Sequence, residues 1–164
     1  MAQFLAVAIS LYFIYRQIRI QTHSNMLSTF AELERRWNGS AMLEARRTVC
    51  SDNSGRLQIH RSEELILGFF EDLGLYLRRE IFDADLLWEL HSYYVEHYWP
   101  LLQPRIARLH TETKDETWYS NFDYLARRLS RISKRKGVRS DKTPEQIQKF
   151  CDLEVGSRVT ALTL

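Results

Sequence analysis

Titratable and aromatic side chains crowd one stretch of the sequence, residues 89–99. Its acids and bases are Glu89, His91, Glu96 and His97, and four aromatic residues lie among them. Two metal-binding histidines on a helix need a spacing of three or four residues, whereas these two are six apart and fall on different faces. Packed helices rich in aromatic residues commonly carry side chains with an apolar ring and a polar end group. We therefore interpret the stretch as helix packing, with an acid–base or metal site as the alternative.

No motif in the sequence supplies the chemistry of a familiar class of enzyme. There is no HExxH zinc motif, no glycine loop for phosphates and no GxSxG turn around a nucleophilic serine. Cys50 and Cys151 have no histidine close by in sequence, and two cysteines are too few for a disulfide framework or a cysteine-based zinc site. The sequence predicts a protein that is not an enzyme and that needs no metal or cofactor.

A cluster of cations without an intervening acid is the sharpest charge feature. A solvated helix end, whose cations complement the helix dipole, is one interpretation. A contact with an anionic membrane or with a protein is the second, and nucleic acid is the third. No aromatic residue after Tyr124 interleaves the cluster to stack on bases. The cluster consists of Arg127, Arg128, Arg131, Lys134, Arg135, Lys136 and Arg139.

The near-neutral charge of the whole chain hides a strong asymmetry. The 164 residues include 23 Lys+Arg and 21 Asp+Glu, a net charge of +2. Residues 1–59 carry a net charge of +3, residues 60–123 carry −7 and residues 124–164 carry +6. Apolar residues make up 45% and charged residues 27%, which are ordinary values for a globular domain. Six glycines and three prolines exclude collagen-like and linker-like chains.

The first fifteen residues carry no charge, and they predict a membrane anchor because they are apolar on nearly every helix face. As a helix they span about 22 Å, against roughly 30 Å for a hydrocarbon core. A start upstream of Met1 would supply the missing length. A buried core helix and a cleaved signal peptide are the alternatives, the latter without its positive leading region. The anchor residues are Phe4, Leu5, Val7, Ile9, Leu11, Phe13 and Ile14.

Arg16 and Arg19 follow the apolar run, and no positive residue precedes it. Both side chains can reach lipid phosphates at the interface. The positive-inside rule then predicts a protein of the inner membrane, single-pass or anchored, whose soluble domain lies in the cytoplasm. A reducing compartment also fits two unpaired cysteines. A polar line recurs every seven residues at Gln3, Ser10, Gln17 and Ser24, which we interpret as a chance alignment, with a helix-pairing seam in the membrane as the alternative. Pairing with a second copy stays open.

No segment alternates with period two, so the sequence predicts an all-α fold. A long helix is expected to end at Asn38-Gly39, and Ser40 is expected to cap a shorter one. The third helix is expected to run from Ser62 to about Glu80. It has the widest apolar face and is the expected central helix, with Ile66, Phe69, Phe70, Leu73 and Leu77 inward.

Asp83 is expected to cap a fourth helix that is bent or interrupted at Pro100 and Pro104 and ends near residue 110. A capping box at Thr143 is expected to start a short last helix that stops at Gly156. The fourth helix is expected to point Leu86, Leu87, Leu90, Tyr94 and Tyr98 inward, and the fifth to present Trp118, Phe122, Leu125, Leu129 and Ile132.

Several sequence stretches together resemble an uncharacterised bacterial family of short, membrane-anchored helical proteins, a domain of unknown function. The resemblance covers roughly residues 4 to 130 and implies a membrane-tethered helical domain, with no activity and no catalytic residue to carry over. The apolar segment is shorter than the family pattern implies. The stretches are IYRQIRIQ (14–21), LERRWN (33–38), MLEARR (42–47), FFEDLGLYLRREIFDADLLWE (69–89) and YYVEHYWPLLQPRI (93–106).

These observations predict three regions and one class of function. Residues 1–21 are expected to form the anchor helix, which continues into a cytoplasmic bundle of about five helices at residues 22–136, and residues 137–164 are expected to form a tail with one short helix. The expected role is a regulatory or accessory module whose partners are membrane lipid and an unidentified protein. The alternative is a nucleic-acid-binding protein that uses residues 127–139.

Overall fold

The computed structural model describes residues 2–52 and 59–156; within the first helix it describes side chains at residues 12–17 and 26–37. This part of the chain is helical and contains no strand, so the all-α prediction is confirmed. The helices are α1 (Ala2–Trp37), α2 (Ser40–Ser51), α3 (Arg61–Arg78), α4 (Ala84–Thr113), α5 (Ser120–Arg135) and α6 (Pro144–Gly156).

The chain divides between Arg36 and Trp37 into two compact units. The first unit is the α1 helix up to Arg36. The second is a bundle that begins at Trp37, whose indole is buried against the rings of Phe69 and Phe70. It also includes α6, which packs on α2 and α4 and buries Phe150.

Helix α3 is the centre of the bundle, as its wide apolar face predicts. It packs against α2, α4 and α5. The approach of α5 is close at Gly74, where a Cβ atom would lie 2.0 Å from the backbone oxygen of Asn121. Only glycine therefore allows the two helices to meet at this distance. The expected core residues of α3 are all buried: Ile66, Phe69, Phe70, Leu73 and Leu77.

Two of the expected helix starts are wrong by one or two residues, and two are confirmed. The N-cap of α2 is Gly39 rather than Ser40, and the N-cap of α3 is His60 rather than Ser62. The reason at α3 is that the Glu63 carboxylate accepts the backbone N–H of His60, which fixes the first turn there. Asp83 caps α4 as expected, accepting the N–H groups of Asp85 and Leu86, and Thr143 exchanges capping bonds with Gln146.

The prolines of α4 do not interrupt the helix, so the interruption, one of the two outcomes expected there, is wrong. The helix runs unbroken through Pro100 and Pro104 to Thr113. Each proline removes one backbone donor, but Tyr98, Leu102 and Ile106 are buried on the inner face and hold the turns in place.

Some side chains that were expected to point inward lie at the surface. Leu86 and Leu90 are 36% and 42% exposed, because they lie beside the buried line of α4 that carries Leu87. Trp118 is 48% exposed and precedes α5, since Tyr119 takes a left-handed backbone conformation (φ 57°) that separates it from the helix. The rest of the α5 stripe, from Phe122 to Ile132, is buried as expected.

Candidate functional site

The titratable residues of the stretch 89–99 lie in separate environments. Glu89 is exposed, whereas His91 is buried with its ring 5.8 Å from that of Phe69. His97 is stacked on Phe150 at 4.6 Å, and its Nδ1 lies 2.6 Å from the carbonyl oxygen of Tyr93. The two histidines therefore face different neighbours, as their spacing of six residues predicts.

Both histidines are held in the neutral form at pH 7. Burial lowers the pKa of His91 to about 4. Burial also lowers the pKa of His97, assisted by the charge of Lys142 and opposed by its bond to the Tyr93 carbonyl. Within the part of the chain that the structure describes, no group of three or more His, Cys, Asp or Glu side chains is placed to hold a metal ion.

Glu96 is the one member of this stretch that enters a polar network. Its carboxylate accepts from the Ser133 hydroxyl at 2.7 Å and lies 2.6 Å from the Lys142 ammonium. Ser133 in turn accepts the indole N–H of Trp88 at 2.8 Å. The carboxylate and ammonium side chains are 9% and 14% exposed, so the pair links α4 to the segment before α6 in a nearly dry setting.

A cleft of about 220 Å³ opens beside this network. Its apolar wall is formed by α4 and α5, and its polar edge by Glu96, Lys142 and the hydrogen-bonded hydroxyls of Ser130 and Ser140. The carboxylate and the ammonium already satisfy each other here, so the arrangement is a structural ion pair rather than a free acid–base pair.

Arg46 is a second buried charge, and its partner is far away in sequence. Its guanidinium donates two hydrogen bonds to the Glu154 carboxylate, at 2.8 and 2.6 Å, and stacks over the rings of Trp37 and Tyr94 at 4.5 and 4.9 Å. Burial works against its charge, but the bonds to Glu154 leave the pKa of Arg46 raised. The partner lies on α6, 108 residues away along the chain.

Arg105 is also buried, and with Arg46 it makes up the buried arginines of the described residues. Its Nε lies 3.1 Å from Glu63, the residue that caps α3, and its terminal nitrogen lies 3.4 Å from Asp52. This side chain therefore links α4 to the start of α3 and to the end of α2. The sequence contained no local sign of it, because the three residues are far apart along the chain.

The basic cluster lies on the outer face of α5 and just beyond its end. Asp123 pairs with Arg127. Lys136 lies 3.4 Å from Asp85 and 3.9 Å above the ring of Trp88. These two cations therefore have acidic partners: Asp123 lies one turn before Arg127 on the same helix, whereas Asp85 is distant from Lys136 in sequence. The remaining members are exposed, and none forms an ion pair within residues 2–52 and 59–156: Arg128, Arg131, Lys134, Arg135 and Arg139.

The anchor prediction falls only in part on side chains that the structure describes. Phe13 and Ile14 are 59% and 52% exposed, and Arg16 is exposed as well. Among the described residues, no helix combines the length and the hydropathy needed to cross a bilayer. The other predicted positions lie outside the described side chains: Phe4, Leu5, Val7, Ile9, Leu11 and Arg19.

One known protein family matches this chain over most of its length. The model of DUF4760, a domain of unknown function, matches residues 1–129, which is more than half of the chain. The chain belongs to the DUF4760 family. The predicted resemblance to a domain of unknown function is therefore confirmed, and its predicted extent, residues 4 to 130, agrees with the match. No curated protein and no solved structure matches significantly.

The DUF4760 match ends inside α5, before several residues that complete the polar contacts of the bundle. Glu96 and Arg46 lie within the match, whereas their partners Ser133, Lys142 and Glu154 follow it. In this member of the family, the residues after 129 thus neutralise two charges that α2 and α4 bury.

Proposed function

We propose that this DUF4760 protein is a membrane-attached helical interaction module without catalytic activity. In this proposal the N-terminal part of α1 attaches to the inner membrane, and the bundle lies on the cytoplasmic side. The bundle acts through contacts with a protein partner in a regulatory or accessory role.

The observation that carries the proposal is a run of four large apolar side chains on α1. Tyr12, Phe13, Ile14 and Tyr15 are between 52% and 64% exposed. Successive residues of a helix are 100° apart, so four of them cover its whole circumference. Soluble proteins seldom expose a contiguous apolar surface of this kind unless it contacts a membrane or a partner. The exposed Arg16 directly after the run supports the cytoplasmic orientation.

The outer face of α5 supports a second contact with an acidic surface. Arg128, Arg131 and Arg135 are exposed, and positions three and four residues apart share one side of the helix. Near an anionic leaflet each such cation adds about 1 kcal/mol of attraction. We take anionic lipid as the occupant of this face, and an acidic protein or nucleic acid as the alternatives that an experiment distinguishes.

The test is fractionation of the full chain in a bacterial host, with parallel extraction by high salt and by alkaline carbonate. Retention in the membrane pellet through both treatments is the expected result, because an inserted apolar segment resists both. Release by salt would assign the membrane contact to the basic face alone. Recovery in the soluble fraction without any treatment would contradict the proposal.

A matched pair of variants links the result to the apolar run. Ile14→Asp places a charge within the run, whereas Leu27→Asp places it on the same helix at a residue that is 64% exposed. An aspartate costs about 3 kcal/mol on insertion at the bilayer centre and less towards the interface, where Ile14 lies two residues before Arg16. We expect Ile14→Asp to shift the chain to the soluble fraction and Leu27→Asp to leave it in the pellet. Equal behaviour of the two variants would remove the support for this run.

A further inference from the structure

Helices α2 and α6 pack against each other along one edge of the bundle. The bidentate contact between Arg46 and Glu154 fixes their register. One turn further along α2 from Arg46 lies Cys50, and one turn back along α6 from Glu154 lies Cys151. Because Arg46 meets Glu154 and the Cys50 thiol is hydrogen-bonded to the Cys151 thiol, the two helices run antiparallel here. The only two cysteines of the chain therefore lie opposite each other, although 100 residues separate them between positions 51 and 150.

Both cysteines are free and nearly enclosed, with residue exposures of 8% and 5%. Their thiols share a hydrogen bond, which together with burial raises the pKa of Cys50. The same hydrogen bond lowers the pKa of Cys151 against the opposing effect of burial. Cys151 is therefore the member of the pair on which a thiolate, the reactive form, is favoured.

We propose that Cys50 and Cys151 are a redox-active thiol pair that closes, under oxidation by a peroxide, to a disulfide that fixes α6 covalently to α2. The site goes beyond the membrane-attachment proposal and does not depend on it. No free cysteine elsewhere in the sequence competes for the bond.

The reaction balances in two steps. The Cys151 thiolate attacks one oxygen of hydrogen peroxide, the O–O bond breaks, and the products are a sulfenic acid and hydroxide, which takes up a proton to become water. The Cys50 sulfur then attacks the Cys151 sulfur, the S–O bond breaks, and the departing hydroxide takes the Cys50 proton as water. Two thiols have lost two electrons and two protons, and the peroxide has become two molecules of water.

The position of α6 gives the oxidant a path to the thiols. Only one side of this helix is buried, through Phe150 and Cys151, whereas Asp152, Leu153 and Val155 lie in solvent. The segment before it, residues 138–143, is not helical. A helix held by one face at the end of a bundle opens locally at a lower free energy than the whole fold, so it exposes the pair transiently.

Closure has a measurable consequence for the fold. A disulfide that spans a loop of this length restricts the unfolded chain strongly and raises the temperature of unfolding. From the usual relation between stability and Tm for a chain of this size, the expected rise is roughly 5–15 °C. Addition of a dithiol reductant reverses it.

The experiment treats the folded, reduced full chain with hydrogen peroxide and then digests it with trypsin under non-reducing conditions. The expected product is a linked pair of peptides, residues 48–56 and 150–158, whose mass is two hydrogens below the sum of the free peptides. The oxidised chain melts at the higher temperature, and both effects disappear after reduction. Comparing two states of the same wild-type chain requires no variant to fold.

Cys50→Ala and Cys151→Ala are the matched controls. Each retains one thiol, so neither should form the linked peptide or show the rise in Tm. The Tm of each reduced variant, compared with that of reduced wild type, measures separately how much the substitution disturbs the packing. Three outcomes overturn the proposal: both thiols stay free in the folded chain under peroxide, the peptides link only between two chains, or the link forms only in denaturant.

Discussion

Two aromatic-rich regions of this protein have similar side chains and opposite surroundings. In α1, Tyr12 and Phe13 are 61% and 59% exposed and pack edge to face on each other. In the bundle, Phe69 and Phe70 are completely buried, and the ring of Phe70 is stacked on that of Phe122 at 4.7 Å. The residue types are alike, so the difference comes from the helices that cover one region and not the other.

The comparison shows that hydrophobicity alone does not assign a role. In the bundle, apolar rings stabilise the fold because removing them would leave a cavity. In the exposed run they contribute nothing of that kind and are available to a membrane or a partner. Substitutions in the two regions should therefore affect different measurements, stability in one and localisation in the other.

The largest expected effect is on the buried side of this comparison. Phe70→Ala should lower the free energy of unfolding by about 3–5 kcal/mol, because it leaves a cavity between Trp37 and Phe122. Phe13→Ala should change it by less than about 0.5 kcal/mol, because that ring is exposed. Urea denaturation followed by circular dichroism measures both variants. Similar losses of unfolding free energy in the two would contradict the difference between the regions.

The buried histidine makes the bundle sensitive to acid. The folded pKa of His91 is about 4, below its ordinary value, so the unfolded chain takes up a proton before the folded chain does. The contribution of neutral His91 to the free energy of unfolding is therefore complete above about pH 6.5. It is lost as the pH falls towards 4, and the free energy of unfolding decreases by about 3 kcal/mol over this range. His91→Phe should flatten the stability profile in this window. A profile that is unchanged in the variant would contradict the assignment.

Breaking a buried ion pair should lower the free energy of unfolding by nearly as much as the protonation of His91. Glu154→Gln leaves the Arg46 guanidinium buried with a neutral partner, and we expect a loss of about 2–4 kcal/mol. The matched control is Glu112→Gln, whose ion pair with Arg108 is about half exposed and should contribute less than about 0.5 kcal/mol. Thermal unfolding of the two variants measures the difference, and equal melting temperatures would refute it.

The close approach of α3 and α5 gives a prediction of intermediate size. Gly74→Ala places a methyl group against the backbone of Asn121 and should destabilise the bundle by about 1–3 kcal/mol. Gly156→Ala is the control, because a Cβ atom there meets no other atom within 4 Å. Should Gly74→Ala melt at the wild-type temperature, the helices would be further apart than described.

The smallest effect on stability is expected at the outer face of α5. The double variant with Arg128→Ala and Arg131→Ala should stay within about 0.5 kcal/mol of wild type, because both side chains are exposed. Its binding to vesicles that contain anionic lipid should weaken and depend less on salt than that of wild type. Unchanged vesicle binding together with weaker nucleic-acid binding would instead favour the alternative use of this face.

The sequence predicted the helices more accurately than the contacts between them. The all-α fold, the central role of α3 and the cap at Asp83 follow from local patterns, since apolar spacing and capping residues act within one or two turns. The inward orientation expected for Leu86 and Leu90 and the interruption expected at the α4 prolines were wrong. Neighbouring helices decide which face is covered and whether a helix continues where a backbone donor is missing.

The features of the candidate sites also fall into those that sequence spacing predicts and those that only the packing of distant residues creates. Spacing alone showed that His91 and His97 do not share a helix face, since both lie on one helix. No spacing could show that Glu96 meets Lys142, that Arg46 meets Glu154 or that Cys50 meets Cys151. Those pairs join different helices or, for Lys142, a helix and the segment before α6.

Composition and periodicity determined which segments are helical, where the charges are concentrated and that the first segment is apolar, because each is a property of neighbouring residues. The tertiary structure alone decided which charges are neutralised and which rings are covered. It did so because a charge or a ring acquires its partners only when residues distant in the chain pack together. The pairing of the two cysteines is the clearest instance, since the register of α2 and α6 brings together thiols that lie at opposite ends of the bundle sequence.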